Sequence, residues 1–203
     1  PQVFRSNLAI DTKFGNGFQF GLEGLFTKTL NNVVYTNVNS DPTVKFKLTG
    51  GGDDRDVYFR RNFESRYSAV YVGSNTNKGY TYNLTATLSK NFGKNLSTFL
   101  AYNYGDAYAV NEGTSSQNSS QWRGQTSIDG RNFPVLGRSD FAAGHRIIAS
   151  ASYKINWTKG IGTQFSFFYS GESGEAFSYV IGGGSAAQNI NNAQGCTGRA
   201  RSL

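Results

Sequence analysis

The sequence predicts an all-β fold: an antiparallel, up-and-down sheet of the kind that forms the wall of a transmembrane β-barrel. Three observations carry this. Apolar and aromatic residues recur at every second position over long stretches. The residues between them are mostly Thr, Ser, Asn, Gln and Gly. Tight and long connections alternate strictly, so every long one leaves the same end of the sheet.

The strands follow in order. Residues 4–14 place Phe4, Leu8, Ile10 and Phe14 on one face, and after Gly15-Asn16-Gly17 the stretch 18–38 keeps Phe18, Phe20, Leu22 and Phe26 in register. In "GYTYNLTATLSKNFGKNLSTFLAYNYGD" (79–106), Tyr80, Tyr82, Leu84, Ala86 and Leu88 alternate with Thr81, Asn83, Thr85, Thr87 and Ser89. Its second half groups Leu96, Thr98, Leu100, Tyr102 and Tyr104. The last pair, 145–157 and 162–170, places Ile147, Ala149, Ala151, Tyr153 and Ile155 together, then Phe165, Phe167 and Tyr169. Strands of about 9–11 residues tilted near 45° are long enough to cross a bilayer.

Three connections are tight, at 15–17, 93–95 and 158–160, each with the Gly or Asn that a positive φ favours. The others are long and polar: 39–77, 106–144 and the stretch from Gly171 onward. Structureless connections of that length are uncommon in compact water-soluble domains. They are the rule on one side of membrane barrels.

Composition agrees. The chain has 203 residues with 25 Gly and 3 Pro, 15% aromatic residues and a mean hydropathy of −0.46. No apolar run is long enough for a membrane-spanning helix, but alternating strands leave a much weaker hydropathy trace. The face opposite the apolar one carries small neutral polar side chains rather than the Lys and Glu that usually protect exposed soluble sheets. Such residues suit a wet interior, with lipid on the other side. Aromatics gather at both ends of the strands. Phe14, Phe18, Phe92 and Trp157 lie near the tight turns, and Tyr35, Tyr80, Tyr82, Tyr102, Tyr104 and Tyr169 lie towards the loops, as an interfacial girdle requires. The chain contains no Met, so we expect it to begin partway through a longer product.

Concentrated chemistry is scarce. Asp53, Asp54 and Asp56 in "GGGDDRD" match no EF-hand spacing, and Arg55 interrupts them, so a solvated loop is the expectation rather than a metal site. Ser139, Asp140 and His145 could suggest a hydrolytic triad, but no nucleophile elbow accompanies them, and no catalytic residue is assigned. Asn83-Leu84-Thr85 is a formal glycosylation sequon in mid-strand, and "IGGGS" near Ile181 lacks the helix that a phosphate loop needs. Cys196 is single, so it can form no internal disulfide. The net charge of +7 is scattered and carries no nucleic-acid motif, so no nucleic-acid partner is expected. Arg55, Arg60, Arg61 and Arg66 cluster in the first long loop, where they could meet anionic head groups or lipopolysaccharide phosphates.

Several blocks, in order, carry a resemblance: "GLEGLFTKTLNNVVYTNVN", "SNTNKGYTYNLTATLSKNF", "AYNYGDAYAVNEGTSSQNSSQWRGQ", "SDFAAGHRIIASASYKI" and "FFYSGESGEAFSYVIGG". Together they resemble the carboxy-terminal barrel region of Oar-like TonB-dependent outer-membrane receptors, over about 4–184. The resemblance implies the Gram-negative outer membrane, in an organism such as a member of the Bacteroidetes. It also implies a barrel of roughly 22 strands closed by an amino-terminal plug. This chain would supply about six to eight of those strands. It implies uptake of a bulky solute powered through TonB, with outer-membrane lipid and lipopolysaccharide as surroundings and no cofactor. The solute itself and its ligands are not named by any residue here. No plug or TonB-contacting segment occurs in the chain, and after Gly184 the stretch 185–203 departs from the family pattern and ends in Leu203 rather than an aromatic residue. We expect 1–184 to be partial barrel and 185–203 an irregular or non-native tail. A rival reading is a soluble β-sandwich adhesin or glycan-binding module. Another is a small self-closing porin, which needs at least eight strands.

Overall fold

The computed structural model describes residues 1–43, 45–47, 56–58, 62–125 and 131–174, with the side chains of 46, 47 and 56–58 outside the description. The elements in chain order are β1 (Gln2–Phe14), β2 (Phe18–Asn37), β3 (Lys45–Lys47), β4 (Asp56–Tyr58), β5 (Tyr71–Thr76), β6 (Gly79–Phe92), β7 (Leu96–Ala109), α1 (Asn118–Gly124), β8 (Gly137–Arg138), β9 (Gly144–Thr158) and β10 (Ile161–Glu172). The main sheet runs β1-β2-β6-β7-β9-β10, antiparallel throughout and not closed, with β5 also on β2 and β8 also on β7. β3 and β4 form a separate small hairpin.

Register explains how one face stays apolar across the sheet. Ile10 lies opposite Leu22, Leu22 opposite Ala86, Ala86 opposite Tyr102, Tyr102 opposite Ile147 and Ile147 opposite Gly171. A shift of one residue at any pair would move a whole strand's apolar set to the other side. The opposite face reads Glu23, Thr85, Asn103, Arg146 and Glu172 along one row. That face is less uniformly polar than the alternation predicts, for Leu25, Phe99, Ile148 and Phe168 also belong to it.

The turns behave as expected, with one correction. Positive φ falls on Gly15, Gly17, Gly93 and Gly160, and no described Asn adopts it. The long connections hold more structure than the sequence suggests. The end of 39–77 is strand β5, which continues the line of β6 so that together they match the 20 residues of β2. Likewise β7 runs on to Ala109, and β8 extends the pairing beyond β9.

The body of the sheet has no core among the described residues. Among the described residues, the buried apolar side chains are Val34, Ala107, Val110 and Trp122, all near the loop end. Leu84, Leu100 and Ile147 remain 48%, 46% and 41% exposed, and no second layer among the described residues covers them. Both outer strands, β1 and β10, are exposed almost throughout.

Residues 50–55, Arg60, Arg61, the glycine run near Ile181, Cys196 and the expected tail lie outside the described residues. Asp56 contributes only its backbone, opposite Lys47 in the small hairpin.

Candidate solute cleft at the loop end of the polar face

Adjacent strands place Thr27 opposite Thr81 and Thr81 opposite Ala107, so a row of small side chains crosses the polar face below the loops. The second long connection then arches over this row. The result is a cleft of about 330 Å³ whose lining includes Thr27, Thr29, Thr81, Asn83, Glu112 and Ser139. Its floor is hydroxyls and an amide. Its rim holds a carboxylate, because Glu112 accepts hydrogen bonds from the Ser139 hydroxyl (2.8 Å) and the Asp140 backbone N–H (3.3 Å).

Glycine makes the floor flat where a side chain would block it. Gly105 sits under the Asn83 carboxamide, which occupies the position that a Cβ would take. Gly21, farther down, lies beneath both the Asp11 carboxylate and the Thr87 hydroxyl, each 2.7 Å from a Cβ built there. Below the cleft the polar groups continue: Asn103 donates to Thr85 Oγ1 (2.8 Å), Arg5 to Thr27 Oγ1 (3.3 Å) and Asn7 to Glu23 (2.6 Å).

The arch is held by side-chain amides that bond the β2 backbone as a strand would. Beyond Asn31, on the side of β2 that β1 lines below, side chains of the second long connection meet the backbone of Val33, Tyr35 and Asn37. Gln125, 1% exposed, bonds both the amide and the carbonyl of Tyr35. Asn132 does the same for Asn37 at 2.9 Å each way, and Asn111 donates to the Val33 carbonyl at 3.3 Å. An open strand edge is thereby capped. α1 carries Trp122 against Tyr71, ring centroids 5.4 Å apart, and the Trp122 indole donates to Asn132 (2.8 Å). Burial, and then the nearby Arg123, push the Arg131 guanidinium below its ordinary pKa as it lies over the Trp122 ring.

The Ser139, Asp140 and His145 constellation does not assemble. The Ser139 hydroxyl is given to Glu112, while His145 Nδ1 lies 2.7 Å from the Tyr102 hydroxyl and its ring packs on Tyr104. Arg66 pairs locally with Glu64 at 2.9 Å, exposed to solvent. No group of three His, Cys, Asp or Glu among the described residues could hold a metal ion. Asn111, Gln125 and Asn132 were not distinguishable in sequence from other loop polar residues; their one distinguishing mark is that they lie in the same long connection. The donors and acceptors of the cleft are suited to hydrogen-bonding a polar solute.

No family model, curated protein or solved structure matches the chain.

Proposed function

We propose that the chain is a section of the wall of an outer-membrane β-barrel of the TonB-dependent receptor class, serving uptake of a bulky polar solute. The observation that carries this is the uncovered apolar face: Leu84, Leu100 and Ile147 share one side of the sheet, half exposed, behind a hydroxyl-rich polar face. Lipid is the covering that such a face needs, and a wide wet lumen suits its reverse. The loop-end cleft then meets the solute first, and the row of polar groups below it lines the path inward. The loops face lipopolysaccharide. Energy from TonB acts through a plug in the parent protein.

A sandwich-type adhesin needs an opposing layer over those same leucines, which the described residues do not supply. The test is refolding of the whole chain with and without detergent. The expected result is a sheet-rich species that requires detergent or lipid and whose gel migration shifts on boiling. A stable monomer in plain buffer, with Leu84 and Leu100 protected from solvent, overturns the proposal.

A further inference from the structure

The two ends of the sheet differ in charge. Around the tight turns (11–20, 88–99 and 153–164) there are five lysines, Lys13, Lys90, Lys94, Lys154 and Lys159, against a single carboxylate, Asp11. At the loop end, acids and bases are mixed and joined: Arg138 holds Asp106 at 2.8 Å and Arg66 holds Glu64 at 2.9 Å.

The turn-end lysines are also placed at distinct levels. Lys90 lies on the apolar face, its ammonium 3.9 Å from the Phe18 ring centre and 4.6 Å from that of Phe92. Phe14 stacks on Phe18 at 5.5 Å, so the cation sits on an aromatic collar. Lys94 and Lys159 occupy the turns themselves. Lys94 and Lys154 border a polar cleft of about 350 Å³ whose other lining residues include Asn91, Asn95 and Gln164, with no acid among them. A lysine ammonium resting on aromatic rings at a strand end, with further lysines in the turns beyond it, suits the boundary of hydrocarbon and head groups.

We infer that the turn end of the sheet is a docking surface for the phosphates of an anionic phospholipid leaflet, with Lys90, Lys94 and Lys159 as its contacts. Lysines that served only to keep the sheet soluble would be interspersed with acids, as they are at the loop end. The inference rests on the bilayer-spanning reading above and adds which end faces anionic lipid and through which residues.

The test uses the full chain, flotation with vesicles, and two lipids: phosphatidylcholine alone, and phosphatidylcholine doped with phosphatidylglycerol. The expected result is preferential flotation with the anionic vesicles, weakened by high salt. It should fall about fivefold for each of Lys90→Gln, Lys94→Gln and Lys159→Gln. Lys28→Gln and Lys78→Gln, at the loop end, should leave it unchanged. The Lys94→Gln/Lys159→Gln pair, confined to turns, gives the same readout without touching the aromatic collar. Equal flotation of all variants with both lipids overturns the inference and leaves the bilayer reading standing. A loss from the loop-end variants as large as from the turn-end ones also overturns it. Failure to float with either lipid removes the bilayer reading and the inference together.

Discussion

Gln125 holds Tyr35 as a neighbouring strand would: its Nε2 donates to the Tyr35 carbonyl at 3.1 Å and its Oε1 accepts the Tyr35 amide at 3.3 Å. Replacement by Ala leaves two backbone groups of β2 without partners. An unsatisfied buried polar group costs about 1–3 kcal/mol. Gln125→Ala should therefore release the second loop from β2, seen as fast amide exchange at Tyr35 and Asn37 and as new protease cleavage near α1. Unchanged exchange at both amides would show that the clamp holds nothing.

Gly105 predicts an intolerant position in an otherwise forgiving strand. Any Cβ there collides with the Asn83 carboxamide. Gly105→Ala should destabilise the β6–β7 pair by about 1–3 kcal/mol, the usual range for overpacking. Asn83→Ala should rescue much of that loss, because it removes the colliding group. A double variant no better than Gly105→Ala would refute the steric account.

Ile147, on the apolar face, distinguishes a face covered by lipid from one covered by water. If hydrocarbon covers it, Ile147→Arg should cost about 2–4 kcal/mol of folding free energy in bilayers. Were the face in water, a residue 41% exposed would accept arginine at little cost. Denaturant titration in vesicles reads the difference.

The sign of one pH effect follows from Glu64. The Arg66 side chain, and then the Arg66 backbone N–H, hold its carboxyl below the ordinary 4.5, against a smaller opposing effect of burial. A folded value below the unfolded one means that the contribution is fully present above the ordinary carboxylate range and fades as pH falls through the depressed value. The 62–70 segment should keep its Arg66 amide protection from neutral pH down past the usual carboxylate titration, then lose it. The effect is small, since the pair is exposed and salt-screened. Loosening already near neutrality would contradict it.

The strands were legible because their determinants are local. Alternation in 79–92 and 96–109 fixes both element type and facing, and Gly15, Gly17, Gly93 and Gly160 mark the turns by a backbone conformation that other residues avoid. The loop end was not legible, because its order is tertiary. Asn118–Gly124 is rich in Ser and Asn, poor helix formers, and seven residues are too few to be helical without support. That support comes from Tyr71, distant in sequence, and from Asn132, beyond the helix in the same connection. Strand β5 was concealed by the break at Asn77 and Lys78, and its pairing with β2 appears only once the register of β6 is known. The cleft depends on the same crossing, so Glu112 and Ser139 carried no mark of their partnership.

The 20 residues of β2 have one more consequence. At about 3.3 Å per residue, and tilted near 45°, such a strand rises some 46 Å, against a hydrocarbon core of about 30 Å. In a membrane the upper part of β2, with β5 beside it, would stand clear of the acyl chains as a parapet among the surface sugars. Antibodies raised against 32–37 and 71–76 should then stain intact cells, and phages or proteases arriving from outside would meet this ledge before any other part of the wall.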